Sequence, residues 1–223
     1  MSHAIFENSR AHNYDQFVID WIPNYQYFMN LLPALLQGKP EEAILVAGCG
    51  TGNEISRIVK QDPDRQITGI DPSPEMLDQA REKLDQYPQV QLIDGYLKDL
   101  PQGPKFSFAT LLLVLHFLED DGSKLDLLKQ IANRLDPGGK LVLLDITGNR
   151  EQIQDNLQIL KSMIPAEIEQ NEVSERLDKI ENELYYVSEE RLVELLVSAG
   201  FESPTRFFQS SIYMGWVAKK AAI

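Results

Sequence analysis

Two hydrophobic rhythms alternate along this chain. Short, mainly apolar runs occupy 43–47, 66–70, 90–93, 106–115 and 140–146. Runs of that length without a polar alternate face suit strands covered on both sides of a parallel sheet. Between them, 52–60, 74–86 and 123–135 carry apolar residues at helical spacing. Ser73-Pro74-Glu75 opens the second of these helices well, with a capping hydroxyl, a pre-set φ and an acid at the positive end. The stretch 5–37 predicts two helices broken at Pro23, one carrying Phe17, Val18, Trp21 and Ile22, the next Phe28, Leu31, Leu32, Leu35 and Leu36. Pro23 fits the first position of the second helix, and Gly38-Lys39-Pro40 ends it.

Beyond 146 the rhythm changes. Residues 149–183 are polar, acidic and helix-prone with a narrow apolar stripe, which predicts a helical pair lying over the end of the sheet rather than another core layer. A helix at 188–199, stopped by Gly200, and strands near 205–210 and 212–219 complete the pattern. The expected architecture is α/β: one domain over 1–223, an N-terminal helical cap at 1–40, helices on both faces of the sheet and a helical lid at 149–183.

The chemistry concentrates where the first strand ends. Ile44-Leu45-Val46-Ala47 empties into Gly48-Cys49-Gly50-Thr51-Gly52, and Asp71 ends the next strand about 20 residues on. Glycines let main chain approach a ligand closely, and a carboxylate so placed accepts hydrogen bonds from ribose hydroxyls. A nucleoside-containing cofactor is the first hypothesis. NAD fits less well, because a pyrophosphate wants a longer glycine turn opening onto a helix N-terminus.

Gly48-Cys49-Gly50-Thr51-Gly52, Asp71-Pro72-Ser73-Pro74-Glu75-Met76-Leu77 and Leu135-Asp136-Pro137-Gly138-Gly139-Lys140-Leu141 together resemble three motifs of the class I S-adenosylmethionine (SAM) dependent methyltransferases, in order. The resemblance implies a Rossmann-like, mostly parallel seven-stranded sheet closed by an antiparallel C-terminal hairpin, with Ser210-Ser211 as its tight turn. It implies that Gly48, Cys49 and Gly50 pass under the methionine part of SAM and that Asp71 takes the ribose. Pro72 then lines the adenine edge, Tyr96 stacks on or bonds to the ring, and the Leu97 N–H points at an adenine nitrogen. Leu112 offers backbone and apolar surface to the cofactor. Asp99 reads as structural.

Asn13-Tyr14-Asp15, Ile22-Pro23-Asn24-Tyr25, Phe117-Leu118-Glu119 and the Phe207 to Val217 ending look like the carboxy-SAM synthase branch, which prepares carboxymethyl transfer to a tRNA wobble uridine. That resemblance assigns Tyr25 to the SAM carboxylate. Three departures stand against the special activity. Val46 replaces the usual acid, the branch's arginine falls near Leu177 with Arg176 adjacent, and the glycine motif keeps its ordinary form. Plain methyl transfer is therefore preferred, with carboxy-SAM synthesis, tRNA modification and non-catalytic SAM binding as the rivals.

His116 is the one histidine among these motifs; it reads as a general base for the acceptor or as a packed structural residue. Tyr14 and Phe207, with the 149–183 insertion, are candidates to cover the acceptor under a lid that orders when SAM binds. Charge narrows the partners. Twenty-one basic against thirty-four acidic residues give −13, with no Lys/Arg cluster, which argues against a polyanion and for a small-molecule acceptor, a tRNA nucleotide remaining open. The single cysteine, Cys49, excludes an intramolecular disulfide, and with no secretory signal or membrane run a cytoplasmic setting is expected. His3, His12 and His116 have no metal-ligand spacing, so no metal is expected. A homodimer is compatible with all of this.

Overall fold

A computed structural model describes residues 13–222. The part of the N-terminal expectation that falls on 1–12 lies outside those residues. Two helices come first, α1 (Tyr14–Trp21) and α2 (Tyr25–Leu35). Then follow β1 (Ile44–Ala47), α3 (Asn53–Gln61), β2 (Ile67–Asp71), α4 (Pro74–Leu84), β3 (Val90–Asp94) and β4 (Phe106–Leu112). The second half runs α5 (Ser123–Arg134), β5 (Leu135–Ile146), α6 (Arg150–Met163), α7 (Gln170–Glu183), α8 (Glu189–Ser198), β6 (Thr205–Ser210) and β7 (Tyr213–Lys219). The sheet order is β3-β2-β1-β4-β5-β7-β6. The β1 to β5 pairings are parallel, and β7 runs antiparallel to both β5 and β6.

The apolar runs explain the layers. All four β1 residues are buried, as a central strand requires. Alternate side chains feed two cores. Val46, Phe108, Leu112 and Leu144 face α1 to α4 with α6 and α7, whereas Leu45, Leu111 and Leu143 face α5 and α8. Strand order reverses between β1 and β4, and there the loops diverge to leave a crevice at the carboxyl ends.

Four expectations need correction. Pro23 lies in the connection between α1 and α2, not in a helix, because Asn24 adopts φ 63 and turns the chain before Tyr25. β4 stops at Leu112 instead of 115, since Leu113 takes φ 61 and leaves the sheet. The hairpin turn is centred on Ser211-Ile212, with Ser210 still paired to Tyr213 and Ser211 supplying the positive φ of 52. The 149–183 pair is anchored in the core. Asn149 caps α6, and Ile153, Leu157, Leu160 and Ile180 are at most 2% exposed within the same cluster as Phe28 and Val46.

Candidate active site

A cleft of about 490 Å³ opens at the strand reversal. Its walls come from Gly48 and Gly50 after β1, Asp71 and Pro72 after β2, Tyr96 and Leu97 after β3, and Leu112 and Leu113 at the end of β4. Tyr14 also lines it, as do Phe117, Leu118 and Leu127 together with Lys98, Ser123, Asp126 and Gln130.

Two glycines in the β1 loop are required for different reasons. Gly48 has φ +74, and a Cβ there would sit 2.5 Å from Val114 Cγ2, so the protein itself demands glycine. Gly50 has φ +50, and a Cβ there would meet nothing within 4 Å. Its bare main chain faces open space, a cradle for something other than protein. Cys49 turns the other way and packs against Gly69 of β2, where burial pushes its thiol up, far from the thiolate form of a reactive cysteine.

Asp71 ties the loops together. One carboxylate oxygen accepts from Gly50 N at 2.8 Å, and the other accepts from Ser73 N at 2.9 Å. Burial raises its pKa above the ordinary value, and these two N–H groups oppose that shift. An ionised carboxylate offers about four acceptor positions, so about two remain for hydroxyl donors in the cleft. Tyr96 begins the turn after β3, where its N–H donates to Asp99 Oδ2 at 3.1 Å. Asp99 is accordingly a capping residue.

The exit from β4 depends on a residue the sequence reading did not single out. Asp145, buried on β5, accepts from Val114 N at 3.1 Å, Leu115 N at 2.8 Å and Ile146 N at 2.8 Å, and pairs with His116 Nδ1 at 2.8 Å. Leu113 N–H reaches Leu144 O at 2.7 Å. Together these bonds hold Leu113 in a left-handed conformation that bulky side chains avoid, a strain tolerated where surrounding structure over-determines the backbone. Buried Lys124 donates to Leu115 O and Tyr185 O, fastening the same turn to the segment that leads into α8.

A methyltransferase-domain family model matches residues 45–141, the stretch from β1 into β5 that builds most of this cleft. The chain is 29% identical to the carboxy-S-adenosyl-L-methionine synthase of Helicobacter pylori, over 96% of this chain and 93% of the relative. It superimposes on the plantazolicin methyltransferase BpumL with a TM-score of 0.68 at 16% identity, covering 96% of this chain and 92% of that one. On human N-acetylserotonin methyltransferase, solved with SAM, the TM-score is 0.65 at 19% identity, over 95% of this chain but 56% of that longer one. The chain is thus similar to SAM-dependent methyltransferases in the segment that builds the cleft, and it shares their fold.

SAM is the cofactor this likeness implies, and the cleft suits it. Asp71 presents acceptors for a sugar, Gly50 leaves room above bare main chain, and Leu97, Phe117 and Leu127 offer apolar surface to a base, with Lys98, Asp126 and Gln130 as polar partners beside them. Of the sequence candidates, Tyr14, Gly48, Gly50, Asp71, Pro72, Tyr96, Leu97 and Leu112 come together on its walls.

Four candidates lie elsewhere. Tyr25 borders a second cavity with Asn53, Arg57 and Lys83, because α2 directs it behind α3. Cys49 is buried under the loop. Phe207, on the edge strand β6, stacks on Phe28 with ring centroids 5.9 Å apart and does not border the cleft. His116 is spent on Asp145, a residue pointing with Leu143 toward the α5–α8 face, away from Tyr14. Replacing His116 with Gln should lower melting temperature while sparing the methylation rate. Loss of a general base would instead cost about 10²–10⁴ in kcat, which steady-state kinetics distinguishes.

Glu54 is a second buried acid beside the cleft that sequence reasoning missed. It sits in the first turn of α3, buried, with its carboxyl accepting from Thr110 Oγ1 at 2.9 Å. Burial foremost, then the nearby Asp71 charge, pushes its pKa up to about 8, against the lowering effect of the Thr110 hydrogen bond. The folded apo protein therefore favours the protonated acid, whereas the unfolded chain ionises it near 4.5. Stability from this group is complete below that value and is lost as pH rises toward 8. The melting temperature of Glu54→Gln minus that of the parent should thus grow between mildly acidic and mildly alkaline pH, reaching about 4 °C or more in the variant's favour. A difference that is flat with pH contradicts this account.

Proposed function

We propose that the protein transfers the methyl group of SAM to a small-molecule acceptor entering on the face covered by α1, α6 and α7. The observation that carries this reading is the aromatic cover at the Gly48–Gly50 end of the cleft. Tyr14 lines the cleft and stacks on Phe17 at 6.4 Å, while Arg176 of α7 lies over the Phe17 ring at 4.7 Å. Buried Tyr213 lies close enough to feel the Arg176 charge. An enclosure built from helices suits a metabolite-sized molecule, and the −13 net charge further disfavours a long polyanion.

Bound SAM supplies a methyl carbon made electrophilic by its sulfonium. The chain's own contributions are alignment and dryness. Asp71 fixes the sugar, the Gly48–Gly50 main chain admits close approach, and α1 with α7 keeps water from the reacting end. Mass spectrometry of a cell metabolite extract incubated with protein and SAM tests the reading. A single metabolite heavier by one methylene unit supports it, and an unchanged extract contradicts it.

Arg176 favours a second reading, carboxy-SAM synthesis or use. The guanidinium faces inward over Phe17 rather than into solvent, and a cation at that place suits a carboxylate on cofactor or acceptor. The full-length likeness to carboxy-SAM synthases points the same way. A carboxylated SAM product in the same spectra would establish this second reading over plain methyl transfer.

A further inference from the structure

The cleft is asymmetric along its length. With a base against Leu97, Phe117 and Leu127 and a sugar on Asp71, the remaining part of the cofactor extends toward Gly48, Gly50 and Tyr14. That part carries the sulfonium and an α-ammonium, and a cation entering a partly buried site needs an acid. Asp71 is already shared between Gly50 N, Ser73 N and the sugar. Asp15 is taken by Lys83 Nζ at 2.7 Å, with Thr51 and Asn53 also donating to it. Val46 of β1 is apolar and buried and offers none.

Glu54 remains. In the register of the sheet Val46 lies beside Thr110, and Glu54 bonds to the Thr110 hydroxyl, so its carboxyl occupies the space over Val46. Tyr14 from α1, Tyr25 from α2, Asp71 from β2, Cys49 from the β1 loop and Thr110 from β4 surround it, and none of these is a cation. Tyr14 and Asp71 themselves line the cleft, which places Glu54 directly behind the wall at the reacting end. Its one hydrogen bond among the described residues is to Thr110.

We propose that Glu54 receives the α-ammonium of the cofactor's methionine end, doing from helix α3 what an acid on β1 cannot do in this chain. The inference rests on the SAM assignment and adds a residue to it. Raised toward 8 in the apo protein, Glu54 is mostly protonated at neutral pH and must ionise to pair with the ammonium. Cofactor binding is then coupled to release of a proton from the Glu54 carboxyl to solvent.

Titration calorimetry at neutral pH, in two buffers of different ionisation enthalpy, reads that proton directly. S-adenosylhomocysteine, which keeps the ammonium but not the sulfonium, should expel most of one proton per molecule bound to the wild-type protein. Methylthioadenosine, which lacks the amino-acid end, should expel none. Glu54→Gln preserves the shape and the Thr110 hydrogen bond. It should weaken SAM and S-adenosylhomocysteine alike by about tenfold or more while leaving methylthioadenosine unchanged. Equal weakening of methylthioadenosine would reveal an architectural role and overturn the proposal. So would a loss confined to SAM, or a wild-type proton count near zero with S-adenosylhomocysteine. If methylthioadenosine and SAM both fail to bind wild type, the cofactor assignment falls and this inference with it.

Discussion

Replacing Asp71 with Ala is expected to weaken SAM binding by about 100-fold or more. Two charge-assisted hydrogen bonds to a sugar are worth about 3 kcal/mol together at the low end of their range, and about 1.4 kcal/mol is tenfold in affinity. The loop effect adds to this. Asp71 also holds Gly50 N and Ser73 N, so its loss frees the main chain that cradles the ligand. Asn is no conservative substitute here. Both carboxylate oxygens accept from N–H groups, and one of them would become an NH2 facing a donor. Calorimetry on the parent, Asp71→Ala and Asp71→Asn should show both variants weakened, Ala the more. Unaltered affinity in Asp71→Ala would remove the sugar contact from the account.

The second large effect is on stability. Asp145→Ala should lower the melting temperature by about 10 °C, because it strands the Val114, Leu115 and Ile146 N–H groups and the His116 ring in a buried place. Each abandoned donor costs about 1–3 kcal/mol, and each 1 kcal/mol is about 2–4 °C for a domain this size. Release of the β4 exit should also relax Leu113 from its positive φ, so SAM affinity falls with stability. His116→Gln removes only one of the four partners and should destabilise far less. Thermal denaturation of the two variants side by side checks that ordering; equal losses would mean that the ring, not the carboxylate, organises the turn.

Much of this molecule was legible from the chain. Strands such as 43–47 and 140–146 announced themselves because a central parallel strand has no wet face and so no polar alternation. The Gly48–Gly52 loop and Asp71 were legible because backbone freedom and a ribose-facing acid leave residue types that few other demands produce. What failed to show was set by tertiary contacts. Nothing local in Leu113 foretells a positive φ; it follows from Asp145, some thirty residues away, gripping the next two N–H groups. Glu54, in the first turn of a helix, reads from sequence as an ordinary partner of the helix dipole, and only the sheet beneath it shows that it is buried. Asp145 stood within an otherwise apolar strand, and an acid there was the available signal. Phe207 and Tyr25 lie off the cleft, since an aromatic proposed as cover or contact is equally at home packing against a neighbouring helix.

Equilibrium dialysis of the purified wild-type protein against labelled SAM most directly tests the assignment of Gly50 and Asp71 to a SAM site. The expected result is one mole retained per mole of protein, displaced by S-adenosylhomocysteine and undisturbed by NAD. Protein that retains no label, or yields it to NAD as readily, would contradict it.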